Sequence, residues 1–452
     1  MTDTLDSTTD PLERQANSGT AGDEVTAEIN AWLETNWDPD LTVGEWWDRL
    51  GNAGWSAPSW PSQWFGHDLS RDDTLKVQKA IGKHGALGAP GGLGLLLAGP
   101  TIATHGTDEQ QQKYLGDIVT GRQGWCQLFS EPGAGSDLAG LNTRAEKDGD
   151  EWIVNGQKVW TSAGHVADLG MLIARTDPDQ PKHQGISYFA MDMHQPGAVE
   201  VRPLKEMTGR ALFNEVFLTD ARVRDDAMIG GLGNGWAVAN TTLAFERAGL
   251  GAGGGSSHGS AATPGTIVGD LERRAGDFVS GPRSSGGGGP TAMLGGAETL
   301  LIELAKNAGS ISDPTIRQEL MKLHTLNELA RYGNLRQKAE KAAGRDMPGA
   351  GNLAKLSMSA ILRLSRDLGL RILGPMGTLH AYDNDARARL NEATGNPFLA
   401  MVTELALFSP GPSIYGGTDE VQHNIIGERV LGLPKEPGPA KGTPYRDLPK
   451  NG

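Results

Sequence analysis

The spacing of apolar residues changes period twice along this chain. From Asp23 to about Gly121 it follows a helix, with Val25, Ile29, Trp32 and Leu33 on one face. Thr107, followed by Gln110 three residues on, has the pattern of a capping box and predicts a helix running through Tyr114 and Leu115. From Gly124 the spacing becomes strand-like. Residues 152–159, 170–174, 186–191, 199–201 and 216–218 are short runs split by Gly, Asp, Asn and Pro, which reads as a compact β-domain ending near Gly235. Helical spacing returns at Trp236 and predicts long helices at 236–250, 316–332 and 352–373. Ile316, Leu320, Leu323 and Leu326 make one apolar stripe; Leu353, Leu356, Ala360, Leu364 and Leu368 make another. The pattern predicts an α+β fold with an N-terminal helical domain (23–123), a β-domain (124–235) and a C-terminal helical bundle (236–434). A disordered tail (1–22) and a C-terminal tail (435–452) flank them.

Residues 249–297 interrupt the third domain with a stretch dominated by Gly, Ser, Ala and Pro, in which only 266–279 reads as a short helix. Such a stretch inside a compact domain is a lid or a disordered insertion, and its place directly after the 236–250 helix favours a mobile loop over a pocket. A net charge of -14 argues against nucleic acid and anionic membranes, though not against an anionic ligand at a local basic site. The single cysteine, Cys126, excludes a disulfide framework and a Cys-based zinc site. No apolar run is long enough to span a membrane, and no His pair has metal-ligand spacing. The first twenty residues are acidic and polar, without the apolar core of a signal peptide. A cytoplasmic enzyme fits these features.

The chemistry concentrates at residues 127–140. A short apolar stretch, Gln127-Leu128-Phe129, ends in Ser130; Glu131, Pro132, Gly133, Ala134, Gly135, Ser136 and Asp137 follow. Gly133 and Gly135 let the backbone approach a ligand and adopt positive φ. Free N–H groups in such a turn make an anion-binding concavity, so the loop suits a phosphate-bearing or flat polar ligand. From the spacing alone, a plain surface turn between strands is the favoured reading.

This segment resembles the signature of the acyl-CoA dehydrogenase family at nearly every position. Residues 54–61 resemble the family's early Gly-Trp-x-x-Pro element, 99–115 the helix before the signature, 155–162 and 168–177 the start of the middle domain, and 415–432 the C-terminal motif. The resemblance covers roughly Asp23 to Pro434. It implies a helical domain, a β-barrel or sandwich and a helical bundle, bound FAD, and a tetramer. It also implies α,β-dehydrogenation of an acyl-CoA thioester to a trans-2-enoyl-CoA, with electrons passed to electron-transfer flavoprotein.

By the same resemblance, Gln127, Leu128, Phe129, Ser130, Gly135 and Ser136 line the flavin, with Ser130 donating to the ring and Ser136 near a phosphate and the substrate. Trp160 offers a stacking face beside Thr161, and Ser162 matches a donor to flavin N5. Thr418 and Glu420 match contacts to the cofactor's polar chain. Gly374 and Gly377 match a loop that meets a neighbouring subunit's adenine end. There Arg371 replaces the family's frequent Gln and Pro375 replaces a Gly, and no Arg-x-x-Phe element precedes Ile316.

Many members carry the proton-abstracting glutamate just after the tyrosine of the C-terminal motif. Here Gly416 follows Tyr415, and glycine is no base. Other members place the glutamate on the helix after the β-domain, where this chain has Phe245-Glu246-Arg247. Ala239, Thr242, Leu243, Glu246 and Leu250 share a helix face, so Glu246 projects from an apolar stripe, as a base or as half of an interface ion pair. Arg247 matches a substrate-side arginine, and the Gly416 backbone N–H can still donate to the thioester carbonyl. Two other readings stay open: a non-catalytic or half-site subunit of a hetero-oligomer, and a flavin-dependent oxidase or monooxygenase of the same fold.

Overall fold

The computed structural model describes residues 11–251, 270–279, 297–435, 437–439 and 442–449, and side chains at all of these except 11–23, 247–251 and 270. The chain divides into two compact units, one of residues 1–126, 166–169 and 258–284, the other of residues 127–165, 170–257 and 285–452.

In the first unit, α1 (Pro11–Asn36), α2 (Val43–Asn52) and α3 (Arg71–His84) enclose a tryptophan-rich core. Ile29 and Leu33 are fully buried, with Val25 and Trp32 half-buried beside them, as their shared face predicts. Thr42 and Glu45 cap α2 reciprocally: Thr42 N–H donates to Glu45 Oε2 (2.9 Å) and Glu45 N–H to Thr42 Oγ1 (3.1 Å). That start turns Trp46 and Trp47 inward, where their indole N–H groups donate to the Leu87 and Gly88 carbonyls at 2.7 and 2.8 Å. The helices α4 (Gly99–His105) and α5 (Asp108–Val119) follow, and the capping box at Thr107 and Gln110 forms as its spacing predicts.

Two boundaries differ from the sequence reading. Residues 11–22, expected in a disordered tail, extend α1 toward Pro11. Lengthening an existing helix gains a hydrogen bond per residue without new nucleation, and polar residues do not oppose it. The short helix expected at 266–279 is absent from its described part: 270–279 makes two 3₁₀ turns. Backbone pairing with residues 39–43 wins over local helix formation there. Val43 N–H donates to Arg273 O (2.8 Å), Ala275 N–H to Leu41 O (2.8 Å) and Gly276 N–H to Pro39 O (2.9 Å), while Ala275 is fully buried in the tryptophan core. This part of the Gly/Ser-rich segment is therefore anchored, not a free lid; 252–269 and 280–296 lie outside the described residues.

The sheet falls in the second unit apart from Trp125, Cys126 and Leu169: β1 (Trp125–Leu128), β2 (Arg144–Asp148), β3 (Glu151–Ser162), β4 (Leu169–Arg175), β5 (Ile186–Asp192), β6 (Val199–Leu204), β7 (Phe213–Arg224) and β8 (Met228–Ile229). The strand order is β6-β7-β3-β2-β4-β5-β8, with β1 beside β4. Strand β2 carries no apolar alternation, since only Ala145 is buried; its pairing with β3 from Arg144 opposite Asn155 to Asp148 opposite Glu151 makes it a strand.

The helices α6 (Gly235–Gly251), α7 (Ala297–Asn307), α8 (Pro314–Ala342), α9 (Ala350–Leu373), α10 (Asn384–Thr394), α11 (Leu399–Phe408) and α12 (Asp419–Ile425) complete it. Ile316, Leu320 and Leu323 of α8 are buried against α7, α9 and α11, as their stripe predicts. On α9 the stripe is different. Ile361, Leu362, Leu368 and Ile372 are buried, whereas Leu353 is 53% exposed, because this helix is apolar on more than one face and periodicity alone does not choose between them.

The anchored segment generates a stability prediction. Ala275→Asp buries an unpaired carboxylate among tryptophans and should cost roughly 3 kcal/mol, measured by urea denaturation, while Asp277→Ala on the exposed side of the same turn should change stability by under about 0.5 kcal/mol.

Candidate active site

The loop after β1 is closed at its neck by one buried carboxylate. Glu131 accepts from the Asn142 and Thr143 N–H groups (2.6 and 2.9 Å), and its backbone pairs with Ala134. Lys158, fully buried on β3, donates to Glu131 Oε1 (2.9 Å) and to the Phe129 carbonyl (3.0 Å). Burial raises the Glu131 carboxyl, but Lys158 and the two loop amides outweigh it and hold it below its ordinary value. Burial pulls the Lys158 ammonium down, with Glu131 resisting. Ser130 is tied in by its carbonyl, which accepts from Val159 N–H (2.9 Å).

Outside this neck the loop is open. Gly133, Gly135 and Ser136 are exposed, and a Cβ on either glycine would meet nothing within 4 Å. Neither glycine takes the positive φ that the sequence suggested; the Glu131–Ala134 pairing turns the chain without it. Their value is the open backbone. Leu128 and Phe129 are buried, Phe129 edge-on to Tyr188 at 6.0 Å. Cys126 is fully buried and its thiol is pushed up to about 12, so it is no nucleophile.

Strand β3 reaches the same loop. Its register with β7 shifts between Lys158 and Thr161, and at this bulge Trp160 adopts φ 62° and stands 56% exposed, edge-on to Phe213 at 5.8 Å. A bulky residue in the left-handed region of a bulge is strained, and such bulges re-aim side chains. Thr161, next along, is fully buried, yet its Oγ1 has no hydrogen-bond partner among the described residues. Its carbonyl accepts from Asn214 Nδ2 (3.0 Å). Ser162, opposite Phe213, is half-buried.

The sequence left Glu246 without a partner; the structure supplies one more than a hundred residues upstream. Gln127 Nε2 on β1 donates to Glu246 Oε2 at 3.4 Å. On the same helix, Ala239 and Thr242 are fully buried, and Thr242 Oγ1 lies 3.3 Å from the Tyr188 hydroxyl on β5. Arg247 follows on α6, its side chain outside the described residues.

The C-terminal motif forms a separate turn. Gly416 and Gly417 take φ 64° and 81°, and the Gly416 carbonyl accepts from Gln422 Nε2 (2.8 Å). Thr418 caps α12 by accepting from Val421 N–H (3.2 Å), and Glu420 is exposed in its first turn. Beneath them Asp419, which sequence reasoning missed, accepts from Lys355 (3.0 Å) and Arg363 (2.7 Å). Burial alone raises its carboxyl, but these cations hold it down at about 2. Arg371 donates to Thr315 Oγ1 (2.8 Å) at the start of α8, and Gly374 ends α9 at φ 56° before a 3₁₀ turn that includes Gly377. Thus Gln127, Glu246 and the loop are joined directly, whereas Arg371, Gly374 and Gly377 belong to the helical bundle.

The loop neck has an expected signature. Lys158→Met leaves the Glu131 carboxylate buried and unpaired and should cost about 3–5 kcal/mol in urea denaturation, part of which Glu131→Gln in the same chain should recover. The folded Glu131 is the stronger acid, so its stabilisation is complete above the unfolded carboxyl's value of about 4.3 and is lost as pH falls through the folded value. The double variant should lack this acid-side loss.

Comparison with known proteins identifies the family. Family models match in order: acyl-CoA dehydrogenase N-terminal domain at residues 13–122, middle domain at 126–221 and C-terminal domain at 293–431. The chain is similar to the acyl-CoA dehydrogenase IpdE1 of Mycobacterium tuberculosis, 34% identical over 399 residues, covering 88% of this chain and 89% of that protein. The Mycolicibacterium smegmatis IpdE1 is 33% identical over 442 residues, covering 91% and 98%. Among solved structures, the ChsE4-ChsE5 complex from Mycobacterium tuberculosis shares the fold at TM-score 0.63 and 26% identity, covering 92% of this chain and 98% of that one. The Tcur3481-Tcur3483 steroid ACAD does so at TM-score 0.64 and 24% identity, covering 92% and 98%. With three domain models matched in order and full-length relatives of this identity, the chain belongs to the acyl-CoA dehydrogenase family of oxidoreductases.

Proposed function

We infer that this acyl-CoA dehydrogenase uses FAD and takes the α proton of its thioester substrate with Glu246. The observation that carries the reading is the Gln127–Glu246 hydrogen bond, which ties a helix-borne carboxylate to the strand leading into the ligand loop. The residues suit a flavin on two counts. Trp160 is a flat aromatic held outward by a strained bulge, and Thr161 offers a buried hydroxyl with no partner within the described protein. Ser130, Ser136 and Ser162, with the open backbone at Gly135, would hold the ring and phosphate groups; Gln127, Leu128 and Phe129 would form the floor. Thr418 and Glu420 would meet the polar chain, and Arg371, Gly374 and Gly377 would face a neighbouring subunit's cofactor. When bound, FAD supplies the acceptor for the hydride leaving the β carbon.

The chain's own part is proton chemistry. Glu246, on a helix face whose earlier turn is fully buried, is held by Gln127 until the acyl group arrives, then takes the α proton. The Gly416 N–H donates to the thioester carbonyl as charge builds there, and Arg247 contacts the substrate. The product is a trans-2-enoyl-CoA, and electrons pass on to electron-transfer flavoprotein. A base on the helix in place of one at Gly416 suits a branched, long or bulky acyl group, such as a steroid side chain; the steroid ACAD that shares this fold supports that direction. Exposed Leu329, Tyr332 and Leu335 on α8 and Leu353 on α9 suit burial against another subunit, in a homo- or hetero-tetramer; the ChsE4-ChsE5 complex is a precedent for two different chains.

The test is anaerobic bleaching of the flavin absorbance by a panel of acyl-CoAs, from butanoyl- and hexanoyl-CoA to a steroid-side-chain CoA. Wild type should bleach fastest with the bulky substrate, and Glu246→Gln should slow bleaching about 10²–10⁴-fold while keeping its flavin. Undiminished bleaching in the variant rules Glu246 out as base. A flavin-free chain that gains flavin only in a co-purified complex favours the half-site reading.

A further inference from the structure

Residues 442–449 lie beyond residue 431, where the match to the family's C-terminal domain ends, yet they return to the ligand loop. Tyr445 N–H donates to Gln180 O (2.9 Å), Arg446 N–H donates to Pro178 O (3.1 Å), and Arg446 pairs with Asp179. These bonds fix the segment on the β4–β5 connection. Tyr445 is then buried with its hydroxyl 3.0 Å from the Gly140 carbonyl and 2.7 Å from Asn142 Oδ1, at the far end of the loop that Glu131 closes.

Its ring covers a second clamp. Arg175, the last residue of β4, is buried and donates to Ala139 O (2.6 Å), Leu141 O (3.4 Å) and Lys182 O (2.6 Å), with its guanidinium carbon 3.6 Å from the centre of the Tyr445 ring. Arg175 thus grips the loop's exit by two carbonyls, and Tyr445 seals it from water. In a drier setting those charge-assisted bonds hold more firmly. Burial draws the guanidinium below its ordinary value, and the phenol and nearby carboxylates act against this.

We propose that Tyr445 is a positioning residue: with Arg175 it straps the exit of the 131–143 loop and thereby fixes the loop's ligand-binding backbone. The inference rests on the reading that this loop lines the cofactor and substrate site. The Glu131–Lys158 pair ties the loop's entry to its exit through the Asn142 and Thr143 amides, and Arg175 under Tyr445 adds a second hold on the exit, with Gly133–Ser136 presented between them.

The test compares the full-length flavin-loaded protein with Tyr445→Ala and Tyr445→Phe, by amide hydrogen exchange and by steady-state kinetics with the best acyl-CoA of the panel. In Tyr445→Ala, exchange should rise about tenfold at residues 131–143 and nowhere else in the sheet. KM should rise about tenfold while kcat stays within about twofold; Tyr445→Phe, which keeps the ring over Arg175, should bring KM back to within about threefold of wild type. An unchanged KM, a fall confined to kcat, or loosening spread through the whole sheet overturns the strap. If wild type bleaches with no acyl-CoA, the functional reading falls and the exchange data alone decide: a local rise at 131–143 supports the strap, and its absence overturns it.

Discussion

The Glu131–Lys158 pair is the contact on which the candidate site depends. Two opposite charges are buried here, an arrangement whose desolvation cost is repaid only by tight geometry and full hydrogen bonding. The geometry is tight, and each charge has further partners: Glu131 also accepts two loop amides and Lys158 also donates to the Phe129 carbonyl. The pair therefore does more than join two strands. It fixes where β1 ends, where β3 bulges and where the loop between them closes.

Much of this fold is legible from local chemistry. The Thr107–Gln110 box, the α8 stripe from Ile316 to Leu323 and the strand runs at β3, β4 and β5 each carry their own signal. The missed elements carry none. Strand β2 is charged and becomes a strand only through β3; segment 270–279 bonds to residues 39–43, more than two hundred positions away; Tyr445 finds its partners at Gly140 and Asn142. At the site the residue types were readable and their companions were not. Glu246 stood out as an acid on an apolar face, but no periodicity points from it to Gln127. Lys158 and Arg175 carry no distinguishing signal in the sequence, and only the folded chain gives them Glu131 and Tyr445.

Trp160 shows the same limit from the other side. Its position was evident, but not why an exposed indole should sit in a strand. The bulge between Lys158 and Thr161 answers that: Lys158 must point inward to reach Glu131, Thr161 is also buried, and the residues between must absorb the mismatch. A left-handed tryptophan costs on the order of 1–3 kcal/mol, which persists only where surrounding contacts over-determine it. The ion pair provides that over-determination. Strain at Trp160 and stability at Glu131 are two ends of one constraint.

The same reasoning bears on why a carboxylate would sit on α6 in place of the C-terminal turn. Gly416 and Gly417 both adopt left-handed backbone, and a glutamate at either would carry a penalty of about 1–2 kcal/mol. A helix imposes no such penalty and gives direction as well. Ala239 and Thr242 are fully buried, and Thr242 meets Tyr188, so the rotation of α6 about its axis is set one turn before Glu246. Glu246 leaves the helix on that same face, and the side chain it meets is Gln127, whose neighbours lead into the loop held by Glu131. In the proposed chemistry the base and the loop are thus aligned through β1 itself. A one-residue slip of α6 would turn the carboxylate about 100° away and break the alignment.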